Sequence, residues 1–179
     1  LYDTIHHHKN ADVLTVVYNF VDALSHAKTD TEVVRELASD DSAYRRLVKT
    51  WLEGSPLLKM LQWASQQGFT VVLTTDHGTV NVHRPSKVVG TKHLTTNLRY
   101  KTGNGMSYQS KHSFVVKDPN AIGLPKQHIA DECIFALSDL FYVYPNRYNH
   151  FVQYYRNTYQ HGGVSLEELI IPYAVLTSK

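Results

Sequence analysis

Apolar positions fall in two textures along the chain. The first third alternates aliphatic runs with amphipathic stretches, and the rest carries short apolar runs punctuated by glycine and proline. Residues 13–17 (Val-Leu-Thr-Val-Val) are β-branched, of strand length, and read as a buried strand. The chain then enters a helical turn that places Asp22 and His26, an i, i+4 pair, on one face. Thr29-Asp-Thr-Glu32 has the spacing of a helix start, with Val33, Val34 and Leu37 as the apolar stripe. A second helix is predicted over 41–53, stopped by Gly54, and a third from Pro56 to near Gly68, with Leu57, Leu58, Leu61 and Trp63 as its apolar positions. Residues 69–73 (Phe-Thr-Val-Val-Leu) form the next buried strand. A strand, helices and a strand in that order predict an α/β fold with a parallel sheet and right-handed crossover.

Beyond residue 80 the elements shorten. Strands are predicted at 80–82, 88–89, 97–100 and 113–116, and a hairpin from strands at 132–137 and 139–144. An aromatic-rich helix or turn is expected at 149–158 and a helical turn at 166–169. The final strand runs over 169–176, where Pro172 points to an edge or a bulge.

Composition narrows the class. With 179 residues and 42% hydrophobic positions the chain is long and apolar enough for one large domain, or most of one, with a real core. The single cysteine, Cys133, rules out a disulfide framework, reads as a buried core thiol and fits a reducing, cytoplasmic compartment. No apolar run approaches the roughly 20 residues of a membrane span. His6-His7-His8 lies within a polar segment and reads as native surface.

Net charge is +2, but no Asp or Glu occurs from Gly78 to Lys117. Arg84, Lys87, Lys92, Arg99 and Lys101 lie in that stretch and are the candidate phosphate grips. A solvated basic face is the other reading of the same group. Tyr100 and Tyr108 are candidates to stack on bases, with ordinary packing as the alternative.

Three histidine sites carry the candidate chemistry: Asp22-Ala-Leu-Ser-His26, Thr74-Thr75-Asp76-His77-Gly78 and Gln160-His161-Gly162-Gly163. Active groups in α/β sheets gather at the carboxyl ends of strands, and Asp76-His77 directly follows the second predicted strand. Each motif alone has an ordinary reading, as a helix-surface pair, a polar strand end and a glycine loop. Five oxygen and nitrogen ligands together are too many for one tetrahedral zinc and suit two metals sharing a site. Ser25 and Thr75 beside them read as turn or supporting hydrogen bonders.

The order Asp-x-x-x-His, Asp-His-Gly, His-Gly-Gly resembles the metal signature of the alkaline phosphatase superfamily, and more narrowly the PglZ domain. With Arg84-Pro-Ser-Lys87-Val-Val-Gly90, Asn97-Leu-Arg-Tyr100 and His161-Gly-Gly-Val-Ser-Leu-Glu-Glu-Leu169-Ile-Ile-Pro172, the whole chain is similar to the PglZ effector portion of PorX-type bacterial response regulators. That resemblance implies an alkaline-phosphatase-like sandwich with a central, mainly parallel sheet flanked by helices, of which residues 1–179 would be the C-terminal part. It implies Asp22, His26 and His161 on one Zn2+ and Asp76 and His77 on a second, with manganese accepting the same ligands. The attacking Thr or Ser and a further Asp ligand are expected upstream of the first motif, since no strand–Asp–nucleophile segment precedes Val13. The implied activity is zinc-dependent phosphodiester hydrolysis on oligonucleotides, downstream of a receiver domain in type IX secretion signalling, with dimerisation as a possible output. The alternative is a regulatory module that binds DNA or a protein such as a sigma factor and retains structural zinc.

Overall fold

A computed structural model describes residues 2–90 and 94–178. The α/β class holds: helices and small sheets make up the fold, with no closed barrel. The helices are α1 (Tyr2–Ile5), α2 (Phe20–Asp30), α3 (Glu32–Leu37), α4 (Asp41–Gly54), α5 (Pro56–Gln66), α6 (Tyr148–Tyr155) and α7 (Leu166–Leu169). The strands are β1 (Val71–Thr74), β2 (Val80–Val82), β3 (Arg84–Lys87), β4 (Tyr100–Gly103), β5 (Ser113–Val116), β6 (Glu132–Ala136), β7 (Leu140–Val143), β8 (Thr158–Gln160) and β9 (Tyr173–Leu176). They divide between two compact units, one of residues up to Thr75 together with Pro172 onward, the other Asp76–Ile171.

The first unit is helical with one two-stranded sheet. The Asp40 side chain caps α4 by accepting from the Ala43 N–H, and Ser55 caps α5 through the Leu58 N–H, with Pro56 at the first turn. Ile5, Met60 and Trp63 bury together against Leu57, Ala64 and Phe69, using the apolar stripe expected of α5. Strand β1 pairs antiparallel with β9, from Val71↔Leu176 to Thr74↔Tyr173. The expected strand at 13–17 is not formed. That segment joins no ladder among the described residues, with Val13 and Val17 at 83% and 77% exposure. An apolar β-branched run encodes strand preference, but a strand also needs a partner to satisfy its N–H and C=O groups.

The second unit holds the larger core. Strand β6 is central, with β4 on one edge and β5 on the other, both antiparallel. Its side chains alternate: Ile134 and Ala136 enter one cluster with Val88, Leu140 and Tyr142, while Cys133 and Phe135 enter another with Val116. Strand β7 alternates likewise, sending Phe141 and Val143 against Val80, Val82 and α6. The hairpin expected from 132–144 therefore has its strands but not its pairing. Both edges of β6 are taken, so β7 runs parallel to β3 instead. That is the single parallel pair among the described strands; the expected central, mainly parallel sheet is four small, largely antiparallel sheets. The predicted strand at 97–100 starts at Tyr100, because the Asn97 side chain accepts from the Arg99 and Tyr100 N–H groups and holds the preceding residues in a turn. At 88–89 only an isolated bridge forms, Val89 to Ser107.

Candidate metal centre

Within Asp76–Ile171, the sheet brings two of the three motifs together. Strand β2 pairs with β8 antiparallel, Val80 opposite Gln160. The loop entering β2 and the residue leaving β8 thus share one end of the ladder. His77 and His161 stack there, ring centroids 4.0 Å apart and 14° from parallel. A ring nitrogen of each lies within 4.8 Å of the other. Asp76 Oδ1 is 3.7 Å from His77 Nε2, close to the ligand–ligand edge of roughly 3.3–3.5 Å that 2.0–2.1 Å bonds to one tetrahedral ion imply. His77 Nδ1 faces its neighbour's Gly78 carbonyl oxygen at 3.0 Å. A carbonyl only accepts, so in the neutral ring Nδ1 carries the proton and Nε2 presents its lone pair on the carboxylate side, the tautomer a metal ligand needs. His77 and His161 each offer an imidazole nitrogen at this strand end, and Asp76 a carboxylate beside His77; these are donor types that zinc and manganese accept.

The loops bearing these histidines are tied together by groups that carry no metal chemistry. The Gly78 N–H donates to the Glu168 carbonyl oxygen at 2.9 Å. A Cβ on Gly78 would stand 2.0 Å from the Glu167 carbonyl oxygen, so only glycine allows this approach. Ser165 and Glu168 form a capping box at α7. The Glu168 carboxylate also accepts from the Gly163 N–H at 2.9 Å, directly behind His161-Gly162. On its other side stands Arg99, whose Nε and Nη2 donate to the two Glu168 oxygens at 2.8 and 2.9 Å. Arg99 further donates to the carbonyls of Ala136 and Leu140. Burial pushes the Glu168 carboxyl upward, but the Arg99 hydrogen bonds and charge outweigh it and hold the group below the usual carboxylate range. This pairing escaped sequence reading. Ser165-x-x-Glu168 is a legible helix start, but nothing in its spacing points to Arg99.

In the first unit, Asp22 and His26 occupy α2 as expected, His26 Nε2 3.7 Å from Asp22 Oδ2 across one turn. Both side chains are largely exposed, at 49% and 67%. Ser25 donates to the Val21 carbonyl and meets the Tyr44 hydroxyl at 2.8 Å, which fastens α2 to α4 and fits the supporting role expected of it.

The basic residues separate. Arg84 is exposed, is held by Asp139 at 2.7 Å, and its guanidinium is pushed above its ordinary range by that hydrogen bond. Lys87 stands 6.0 Å from the Tyr148 ring centroid. Lys92 lies outside the described residues. Arg99 and Lys101 are 0% and 1% exposed, which corrects their reading as phosphate grips. Arg99 serves Glu168. Lys101 Nζ donates to the Thr95 carbonyl at 2.8 Å and lies over the Tyr144 ring. Tyr108 donates to Glu132, a packing role, and Cys133 is a buried thiol against the Thr102 hydroxyl.

The sequence model described as the BREX system PglZ alkaline phosphatase-like domain matches residues 3–177. The chain belongs to the PglZ family. The match spans both compact units, and it makes the chain's function one of the phosphoesterase type. An alkaline phosphatase-like domain ordinarily works with metal ions, in keeping with the donor chemistry of Asp76, His77 and His161. No curated protein matches the chain. No described helix is long and apolar enough to cross a membrane.

Proposed function

We propose that this PglZ domain is part of a zinc-dependent phosphodiesterase acting on oligonucleotides. The observation that carries the reading is the face-to-face pair His77–His161 beside Asp76, in a chain of an alkaline phosphatase-like family. Asp76 and His77 would hold one ion, and Asp22, His26 and His161 a second. Support for the second set is the order of the motifs and the Asp22–His26 pair already formed on α2. Ions bound there would supply Lewis-acid charge to the phosphoester. By the resemblance in sequence, a Thr or Ser hydroxyl preceding the first motif attacks phosphorus. The chain's own part is to fix ligand geometry. The Gly78 carbonyl sets the His77 tautomer, and Glu168 holds the turn behind His161. Arg84, Lys87 and Lys92 are assigned to the phosphate backbone of the substrate, on their charge and their place in a stretch without acids. We assign the whole protein to the effector output of a cytoplasmic PorX-type response regulator linked to type IX secretion. There, phosphorylation of a receiver domain drives dimerisation, and a sigma factor is a candidate partner.

The test uses the full-length protein. Elemental analysis is expected to find close to two equivalents of zinc, and chelation to abolish phosphodiester hydrolysis. His161→Ala is expected to lower turnover by at least about 100-fold, the scale of losing a group that stabilises transition-state charge, without unfolding. Wild-type turnover in a folded His161→Ala protein rejects the assignment. DNA or protein binding that survives chelation, in a protein without hydrolytic activity, would favour a regulatory module with structural zinc instead.

A further inference from the structure

Beside the stacked histidines, in the same unit, lies a cavity of about 710 Å³, within the roughly 300–1,000 Å³ usual for small-molecule sites. Its apolar walls are Tyr100, Leu124, Pro125 and Phe135, with Asn104 and Gln127 among its polar groups. Gly162, the residue after His161, closes one side, so the cavity begins where the proposed ligand corner ends. Gly162 sits at φ +99°, and a Cβ there would be 3.3 Å from the Tyr100 ring. Only glycine keeps this wall thin.

The cavity is built in advance. The β4–β6 ladder sets Tyr100 opposite Phe135, so both rings lie on one face of the sheet, centroids 6.2 Å apart and tilted 34°. Further lining comes from a loop anchored by Asp131, which is 4% exposed. Its carboxylate accepts from the N–H groups of Gln127 and His128 at 3.1 and 2.8 Å and from Asn104 Nδ2 at 3.0 Å. These bonds tie the loop across to the end of β4. What results is a cavity with two aromatic rings, aliphatic groups and amide groups in its lining. A planar heteroaromatic ring matches that chemistry, since its faces are apolar and its edge carries donors and acceptors.

We infer that this cavity receives the nucleobase of the phosphoester whose phosphate lies at Asp76, His77 and His161. The inference rests on the metal-dependent phosphoesterase reading and deepens it: the slot selects a nucleotide over a simple phosphate ester. It assigns Tyr100 and Phe135 to base contact, while Asp131 is a positioning residue that shapes the loop.

The experiment measures equilibrium binding of adenosine 5′-monophosphate, adenosine and inorganic phosphate to zinc-loaded full-length protein. The nucleotide is expected to bind about tenfold or more tightly than phosphate, the scale of one stacked base. Leu124→Arg projects a charged side chain into the slot and is expected to erase that preference with phosphate binding unchanged. Gln127→Trp, at an exposed position, serves as a second block should Leu124→Arg not fold. Equal binding of nucleotide and phosphate to the wild-type protein overturns the inference, as does a preference that survives in a folded blocked variant. Adenosine binding that the blocks remove, in a protein that takes no phosphate, upholds the cavity and overturns the metal-corner reading instead. Failure of all three probes to bind overturns both.

Discussion

His77 and His161 face one another across 4.0 Å although they come from opposite ends of the second unit's sequence. The relationship follows from one register, Val80 opposite Gln160, which aligns the start of β2 with the end of β8. Groups that stand together in this way serve one two-ion site, so their losses should not add. His77→Ala and His161→Ala in the full-length protein are each expected to weaken zinc binding by about 100-fold or more, and the double variant by less than the product of the two. Competition with a colorimetric chelator measures this. Independent, multiplicative losses would show that the two rings serve unrelated sites.

The Arg99–Glu168 pair is fully desolvated, at 0% and 3% exposure. Removing one partner leaves the other buried and uncompensated, a cost of about 3–5 kcal/mol. Glu168→Ala should therefore lower unfolding free energy by that amount in urea titration, and Glu168→Gln by less, because an amide can still accept from the backbone N–H groups. The folded-state pKa of Glu168 lies below its ordinary value of 4.5. Its stabilising contribution is then present above about 4.5 and lost as pH falls through the lower folded value. A Glu168→Ala protein as stable as wild type would remove the pair from any role in holding the His161 loop.

Lys101 gives the opposite sign. Burial lowers its pKa from 10.5 to about 8. Below pH 8 both folded and unfolded chains carry the proton, and the fold bears the cost of a buried ammonium. Between about 8 and 10.5 the unfolded chain binds more protons, so stability rises with pH. At about 1.4 kcal/mol per unit the gain is at most roughly 3 kcal/mol. Tyr142 limits it from above: burial raises its phenol from 10.0 to about 12, and stability falls with pH across that range. Thermal melts should thus climb from pH 8 and turn over above 10. Lys101→Met should flatten the climb and leave the fall. A flat profile in the wild-type protein would contradict the burial of the amine.

Glycines at two positions should behave in opposite ways. Gly78→Ala puts a methyl 2.0 Å from the Glu167 carbonyl oxygen, and overpacking of this kind costs about 1–3 kcal/mol. It should also move His77 and reduce zinc affinity. Gly54→Ala meets nothing within 4 Å at the end of α4 and should be neutral or stabilising by up to about 1 kcal/mol. Calorimetry on both variants checks the contrast; equal melting temperatures would refute the close approach at Gly78.

Local signals were legible. The starts of α4 and α5 follow from Asp40, Ser55 and Pro56, whose side chains or ring act within a few residues of themselves. The strand segments at 80–82, 113–116 and 132–136 follow from short runs of β-branched and aromatic residues. Pairing was not legible. Strand β6 spends both edges on β4 and β5, and β7 joins β3, because burial of both faces of β6 and β7 decides partners that no local pattern names.

The candidate chemistry divides the same way. Asp22, His26, Asp76, His77 and His161 were recognisable from residue type and short spacing, since ligand identity is written in single side chains and their near neighbours. What became of the cations was not. Arg99 and Lys101 look like any basic surface pair in sequence, yet the turn entering β4 sets Arg99 against Glu168 and the β4 register turns Lys101 inward, toward the Thr95 carbonyl. Sequence by itself determined which residues carry metal-binding chemistry, because that depends on donor atoms. Only the tertiary structure decided which histidines meet and which charges are buried, because those depend on strand register between segments far apart in the chain.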